Sequence, residues 1–243
     1  MIPEDIAETP EQTLINYGHR LAGIYRSEEE ISGMPIAMEE CHLFDMEHLT
    51  SEPLCLAMKA VQCIAPNRAE QILYRLRYAT IVEVRPTTHH DEILRVVRQT
   101  GSIDETSFCE TLDNGLAEKA LQHDICIARS LRLQALPAYM LRYGSHHIVI
   151  NGLASYDTIA SAIQRLSCGT IEPHEAKATT EALRQFITLH PLISPIEISH
   201  AFNFVTAEEV KQFIQPLIDN GEIRIYEVPH GLFIEKNEEI KIY

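Results

Sequence analysis

The sequence predicts a helix-rich α/β protein made of two domains. Three observations predict this class: helical spacing of apolar residues over the first 130 positions, a strand–turn–strand pattern that begins at Pro137, and a second set of helices ending in a hairpin. The chain has 243 residues, of which 45% are apolar and 23% charged, a globular composition long enough for one or two domains. A linker-like stretch over 168–173 places the domain boundary, giving predicted domains 1–173 and 174–243.

Helical patterns fill roughly residues 5–131. Thr9 caps the first helix, which Gly33 and Pro35 end. Pro53 opens a second helix, Asn67 caps a third, and a fourth runs from Thr87 to Thr100, where Gly101 stops it. Ser102 with Glu105 forms a capping-box signature for a short fifth helix, and a sixth carries Leu121, Ile125 and Ala128 on one face.

A hairpin and one more helix occupy residues 135–168. The segments 137–143 and 146–150 have the β-branched and aromatic content of strands, and Gly144-Ser145 between them is a two-residue turn. Asn151-Gly152 ends the hairpin, and helical spacing returns from Ser155 to Leu166.

The tail predicts three helices followed by a β-hairpin. The first helix ends near His190, the second starts at Ser194, and Thr206 with Glu209 caps the third, which Asn220-Gly221 stops. The strands 223–228 and 232–235 then flank a turn at 229–231. This order is that of a winged helix, a shape often used to bind DNA.

The charge balance argues against nucleic-acid and membrane partners. Lys and Arg total 20 and Asp and Glu total 35, a formal net charge of −15. The third tail helix has Lys211 as its one cation beside Glu208, Glu209 and Asp219, whereas a helix in the major groove needs several. No apolar run is long enough to span a membrane, and Met1 to Asp5 do not begin an export signal, which predicts a cytoplasmic protein with reduced thiols.

The cysteines and histidines of the sequence do not by themselves indicate a known catalytic site. The six cysteines form no CxxC, and the cysteines within helical patterns (Cys55, Cys63 and Cys126) are expected to be small buried side chains. Cys41 and His42 with His48 match no common metal site, and the doublets 89–90 and 146–147 are typical of solvated histidines. The sequence therefore predicts no metal and no cofactor.

Several segments together resemble the DsbA-like branch of the thioredoxin superfamily, the group of intracellular dithiol–disulfide oxidoreductases and isomerases. The resemblance covers about residues 2–173. It is carried by Ser51–Ala60, Glu118–Arg129, the Ala135-Leu136-Pro137-Ala138 turn and Asn151-Gly152. The resemblance implies a thioredoxin-like fold with an inserted helical domain, and it implies that Leu136 and Pro137, in the position of the family's cis-proline loop, line a groove for a substrate peptide.

The chain departs from this family in one respect. Members begin with a strand, a CxxC at a helix start, that helix and a second strand, and none of these precedes the helices here. We therefore expect an amino-terminally incomplete thioredoxin fold that does not run a dithiol cycle unaided, because that cycle needs an attacking thiolate and a resolving partner thiol. Cys55 is the candidate for a single redox thiol. If no strand–CxxC–helix segment precedes Met1 in the full gene product, a two-stranded hairpin seating this many amphipathic helices leaves apolar surface uncovered, which predicts self-association or marginal stability.

Two functions follow as expectations. The first is a cytoplasmic DsbA-like oxidoreductase or isomerase family protein acting on protein thiols and disulfides, with a winged helix appended. The alternative is a non-catalytic adaptor, because a DsbA-like domain followed by a winged helix also resembles the adaptors that present a regulator to the ClpXP protease.

Overall fold

A computed structural model describes residues 9–39, 42–101 and 103–237. It divides into two compact units: unit 1 is Met1–Glu118 with Ala176–Tyr243, and unit 2 is Lys119–Glu175. This division runs across the predicted domains, whose boundary at residue 173 stays a prediction. The predicted helix-rich α/β class is confirmed.

Five helices form the first part of unit 1, and a sixth leads into unit 2. They are α1 (Pro10–Ser32), α2 (Glu52–Ile64), α3 (Ala69–Ile81), α4 (His90–Thr100), α5 (Glu105–Asp113) and α6 (Leu116–Ser130). The Thr9 side chain caps α1 by accepting the Gln12 N–H at 3.2 Å. At the other end, Gly33 adopts a left-handed φ of 67° and donates its N–H to Glu29, because a residue without Cβ enters this region at little cost.

Two caps differ from the sequence-based expectation. Asn67 lies inside a 3₁₀ turn (Pro66–Arg68), and the cap of α3 is Arg68. The cap of α5 is Asp104, whose carboxylate accepts the Ser107 N–H at 2.8 Å, while Ser102 lies outside the described residues. Before α5, Ser102 and Asp104 are both residue types that cap helices, and sequence alone does not choose between them. Before α3, the 3₁₀ turn runs directly into the helix, so Asn67 lies within the turn and not at the helix boundary.

The tail adds α8, α9 and α10 and a small sheet to unit 1. After α7 (Tyr156–Leu166) of unit 2, the elements are α8 (Thr180–Leu189), β3 (Leu192–Ile193), α9 (Pro195–Phe202), α10 (Ala207–Asp219), β4 (Ile223–Val228) and β5 (Gly231–Lys236). Both predicted N-terminal caps of α9 and α10 are present as capping boxes. The strands pair antiparallel in the order β3-β5-β4, and the two-residue β3 is an element that the sequence did not predict.

Among the described residues of unit 1, most of the buried apolar side chains belong to three clusters. One lies among α2–α5 around Val61, Ile72 and Phe108, and one lies within the tail around Leu183 and Ile234. The third, which we call the junction cluster, joins the two parts of the unit. Its buried members are Tyr78, Val82, Leu192 and Phe233. Since the tail packs against α3 through this third cluster, the helices and the tail share one continuous structure.

Polar contacts reinforce this junction. The Tyr74 hydroxyl donates a hydrogen bond to the Glu197 carboxylate. The pKa of Tyr74 is raised above its usual value, first by burial and then by the charge of Glu197, so the phenol stays protonated and remains a donor. At the β4–β5 turn, the backbone of Gly231 passes so close to Pro35 that a Cβ there would lie 2.8 Å from its Cγ.

Unit 2 contains the other sheet. Strands β1 (Ala138–Tyr143) and β2 (His146–Asn151) form an antiparallel hairpin, and α7 packs on one of its faces. Ser155 caps α7 by accepting the Thr158 N–H at 3.2 Å. Among the residues that the model describes, no helix is both long and apolar enough to cross a membrane.

The junction cluster makes a testable contribution to stability. Phe233 is 1% exposed and meets the Tyr78 ring edge-on at 4.7 Å, so Phe233→Ala should lower the free energy of unfolding by about 3–5 kcal/mol. The control Leu232→Ala, at the neighbouring position of β5 and 40% exposed, should cost less than about 1 kcal/mol. Urea unfolding followed by circular dichroism measures the free energy of unfolding of both variants. Equal losses in the two variants would contradict the contribution of the junction cluster to stability.

A histidine at the same junction should make stability depend on pH. His230 contacts Glu29 through Nδ1 and Glu39 through Nε2, each at 2.6 Å. Its pKa is raised above 6.5, mainly by the hydrogen bond to Glu29. Because the pKa of His230 is higher in the folded state than in the unfolded state, its contribution to stability is complete at a pH below the unfolded-state pKa. This contribution is lost as the pH rises through the folded-state pKa.

We therefore expect His230→Asn to flatten the decline in stability as the pH rises above about 6.5. Asn tolerates the left-handed φ of 67° at this position. The control replaces the exposed His174 with Asn, which removes one imidazole without touching Glu29 or Glu39. Denaturant unfolding at a series of pH values gives the profiles, and identical profiles for wild type and His230→Asn would disprove the role of His230.

Candidate functional site

The sequence-predicted residues Leu136 and Pro137 lie in unit 2, at the entrance to β1. We call the segment Leu136–Tyr143 the β1 edge. Leu136 is 86% exposed, and the Leu136–Pro137 peptide bond is cis. Two hydrogen bonds hold the entrance in place: Gly152 N–H donates to the Pro137 carbonyl at 2.8 Å, and Gln134 N–H donates to the Asn151 side chain at 3.2 Å.

The hairpin register decides which backbone groups of β1 face outward. Tyr143 pairs with His146 across the Gly144-Ser145 turn, and Tyr139 pairs with Ile150. In an antiparallel pair, alternate residues exchange hydrogen bonds with the partner strand, and the bond from Gly152 to Pro137 fixes the odd-numbered residues as the ones that do so. The backbone N–H and C=O groups of Ala138, Met140 and Arg142 therefore face away from β2.

No strand pairs with this outer side of β1 within the described parts of the chain. An unpaired edge presents a row of donors and acceptors that can pair with another extended segment. Two large apolar side chains are exposed along this edge: Met140, which is 51% exposed, and Leu136, which precedes the strand. The β1 edge thus combines open hydrogen-bonding groups with exposed apolar surface.

An open groove of about 440 Å³ lies on the other side of the hairpin, between β2 and α7. Ile148 and Ile150 line its strand side, and Asp157 and Arg165 place charges of both signs on its helix side. Its lining thus combines apolar and charged side chains.

The expectation that the helical cysteines are buried is wrong. Cys55, Cys63 and Cys126 are all exposed. In α2 the buried positions include Ala57 and Val61, and a residue two positions away points about 200° around the helix. Cys55 and Cys63 therefore fall on the solvent side of α2. Cys55, the predicted candidate redox thiol, belongs to unit 1, whereas Leu136 and Pro137 belong to unit 2.

The histidines considered as ligands are placed differently from the predicted grouping. His48 lies beside Asp45 and His89, and these three are the described residues whose ligand atoms come together. Cys41 lies outside the described residues. His89 was interpreted from the sequence as part of a solvated doublet, and Asp45 was not singled out. Asp45 stands three residues before His48, a spacing at which short polar side chains often meet.

Thiol exposure predicts unequal reactivity. The pKa of the half-buried Cys109 is raised, first by burial and then by the charges of Glu105 and Asp113, which lowers its thiolate fraction. We expect the exposed Cys55 to be alkylated several times faster than Cys109 by iodoacetamide at about pH 8. Peptide mass spectrometry over time measures both rates, and unfolding in urea should make them converge. Equal rates in the folded protein would contradict this assignment.

This chain is similar in sequence and in structure to known proteins. Residues 12–161 match the family model described as Thioredoxin. The ClpXP adapter protein SpxH of Bacillus subtilis (strain 168) is 24% identical over 195 residues, which are 78% of this chain and 63% of SpxH. A crystal structure of a protein from Nitrosomonas europaea, named a protein disulfide isomerase, superposes with a TM-score of 0.55 at 15% identity, covering 68% of this chain and 78% of that one.

Proposed function

Because this chain belongs to the thioredoxin family, with the thioredoxin-like fold that the sequence predicted, we propose that it binds protein clients in extended form at the β1 edge. In this proposal it is a DsbA-like protein whose own cysteines do not run a dithiol cycle. The clients would be proteins with thiols or disulfides, or a regulator presented to a protease.

The observation that carries the proposal is the unpaired outer side of β1. Outward-facing backbone groups of Ala138, Met140 and Arg142 can accept an added strand, and main-chain hydrogen bonds of this kind supply affinity with little demand on sequence. The exposed side chains of Leu136 and Met140 supply apolar contact beside those bonds. Arg142 is the single charge along the β1 edge, so the edge carries little of the charge that usually keeps strands from pairing.

The cysteine content supports binding without redox turnover by these residues. Disulfide exchange needs an activated thiolate and a second thiol that resolves the mixed disulfide. The 243 residues contain no CxxC, and the five described cysteines have free thiols. Cys55 is exposed and stays a candidate for a single redox thiol.

An adaptor role is the second candidate, and its specific support is the relationship to SpxH. This chain spans 63% of the length of SpxH, so the adaptor activity of that protein enters here as a proposal. The tail supports protein contact in either case, because the order α8, β3, α9, α10, β4, β5 is that of a winged helix while α10 begins with Glu208 and Glu209. An acidic helix start repels the phosphates of a duplex.

Substitution at the β1 edge tests the proposal. Leu136→Asp places a charge beside the exposed edge without disturbing the core, and it should weaken binding of a fluorescent, reduced and alkylated insulin B chain by about tenfold or more. Fluorescence anisotropy measures the affinity. The matched control is Leu189→Asp at the end of α8, where the side chain is 74% exposed, and it should bind like wild type.

Two further measurements separate the candidate roles. Wild-type chain should not accelerate insulin reduction by dithiothreitol, and rapid turnover would refute the absence of a dithiol cycle. Faster degradation by ClpXP of a client that binds at the β1 edge would favour the adaptor role, whereas binding without faster degradation would favour the DsbA-like role. Equal affinities of wild type and Leu136→Asp would overturn the proposed site itself.

A further inference from the structure

Three potential ligand side chains, those of Asp45, His48 and His89, converge in unit 1. His48 Nδ1 lies 2.9 Å from Asp45 Oδ1, and His89 Nε2 lies 2.6 Å from Asp45 Oδ2. The two imidazole rings stack, with centroids 3.9 Å apart and planes inclined by 23°. One nitrogen of each ring thus faces the same carboxylate, and the ligand atoms of all three residues lie within 4.8 Å of one another.

The backbone holds this arrangement in place. Asp45 Oδ1 accepts the N–H groups of Glu47 and His48, each at 2.8 Å, which fixes the carboxylate within its own loop. Thr88, which is 1% exposed, donates its hydroxyl to the Leu43 carbonyl and so ties that loop to the turn before α4. His89 is the residue immediately before α4, so both histidines are carried by segments that are already fastened together.

The donor set fits a borderline divalent metal ion. Imidazole nitrogens suit zinc and its neighbours in the first transition series, and two histidines with one carboxylate form a common three-ligand zinc set. The three side chains are 30–44% exposed, which leaves room for an ion to enter and for water to complete its coordination.

We propose that Asp45, His48 and His89 bind one divalent transition-metal ion of the zinc class. The ion would replace the hydrogens now shared between the rings and the carboxylate, coordinate His48 Nδ1, His89 Nε2 and a carboxylate oxygen, and take water as its remaining ligand. It would link the loop before α2 to the start of α4. This site does not depend on the proposed client binding, since its residues lie in unit 1.

Zinc titration of the full chain tests the proposal. Chelator-treated, reduced protein should bind one Zn²⁺ per chain by isothermal titration calorimetry. Asp45→Asn, His48→Gln and His89→Gln should each weaken this binding by about tenfold or more. The matched control is the double variant His146→Gln with His147→Gln, which removes two exposed histidines from β2 and should bind zinc like wild type. Circular dichroism checks that every variant is folded.

A second readout excludes the cysteines as the source of binding. With Co²⁺ in place of zinc, the wild type should show a visible spectrum without a sulfur-to-metal charge-transfer band, because the proposed ligands are nitrogen and oxygen. Zinc should also raise the unfolding midpoint of wild type and not that of His89→Gln. A chain that binds no zinc at millimolar concentration, zinc affinity unchanged in all three variants, or a thiolate spectrum would each overturn the proposal.

Discussion

The edge-on packing of Phe233 against Tyr78 is the contact on which unit 1 depends. Each half has a core of its own, and Tyr78 and Val82 of the helical part share a third buried cluster with Leu192 and Phe233 of the tail. Hydrophobic burial supplies the attraction at this junction, and the bond between Tyr74 and Glu197 fixes its geometry, because a buried hydroxyl without an acceptor would be costly. The tail is therefore a structural part of the unit as well as a surface for contacts.

Local signals in the sequence predicted most of the elements, since caps and breakers act within one helical turn. Thr206 with Glu209 forms the predicted capping box, and Gly33 and Gly101 end their helices in left-handed conformations. The signals failed where a 3₁₀ turn runs into a helix, as at Asn67, and where two capping residues compete, as before α5. They also failed where an element is too short to have a period, as in the two-residue β3. Pairing between distant segments, such as that of Tyr78 with Phe233, has no local signature at all.

The candidate sites also differ in how far the sequence predicts them, according to whether their residues are neighbours in the sequence or meet only in the fold. The order of Pro137 after a helix and before a strand, together with the family resemblance, selected Leu136 and Pro137 for the proposed binding site, because these residues are contiguous in the sequence. The Asp45 and His89 side chains are 44 positions apart and meet only through the fold. The exposure of Cys55 was also not predicted. Cysteine is itself an apolar residue, so the sequence pattern does not show whether a cysteine at the margin of an apolar helix face belongs to the buried side or to the solvent side.

The discontinuity of unit 1 has a consequence for the order of folding during synthesis. Unit 2 is encoded by one contiguous stretch and can complete its hairpin as soon as that stretch leaves the ribosome, whereas α3 must wait until β5 has emerged to cover Tyr78. Until then an apolar face of the helical part stays open to water, where holdase chaperones or another nascent chain could occupy it. The insertion of unit 2 thus lengthens the interval during which this protein is exposed to misassembly on the ribosome.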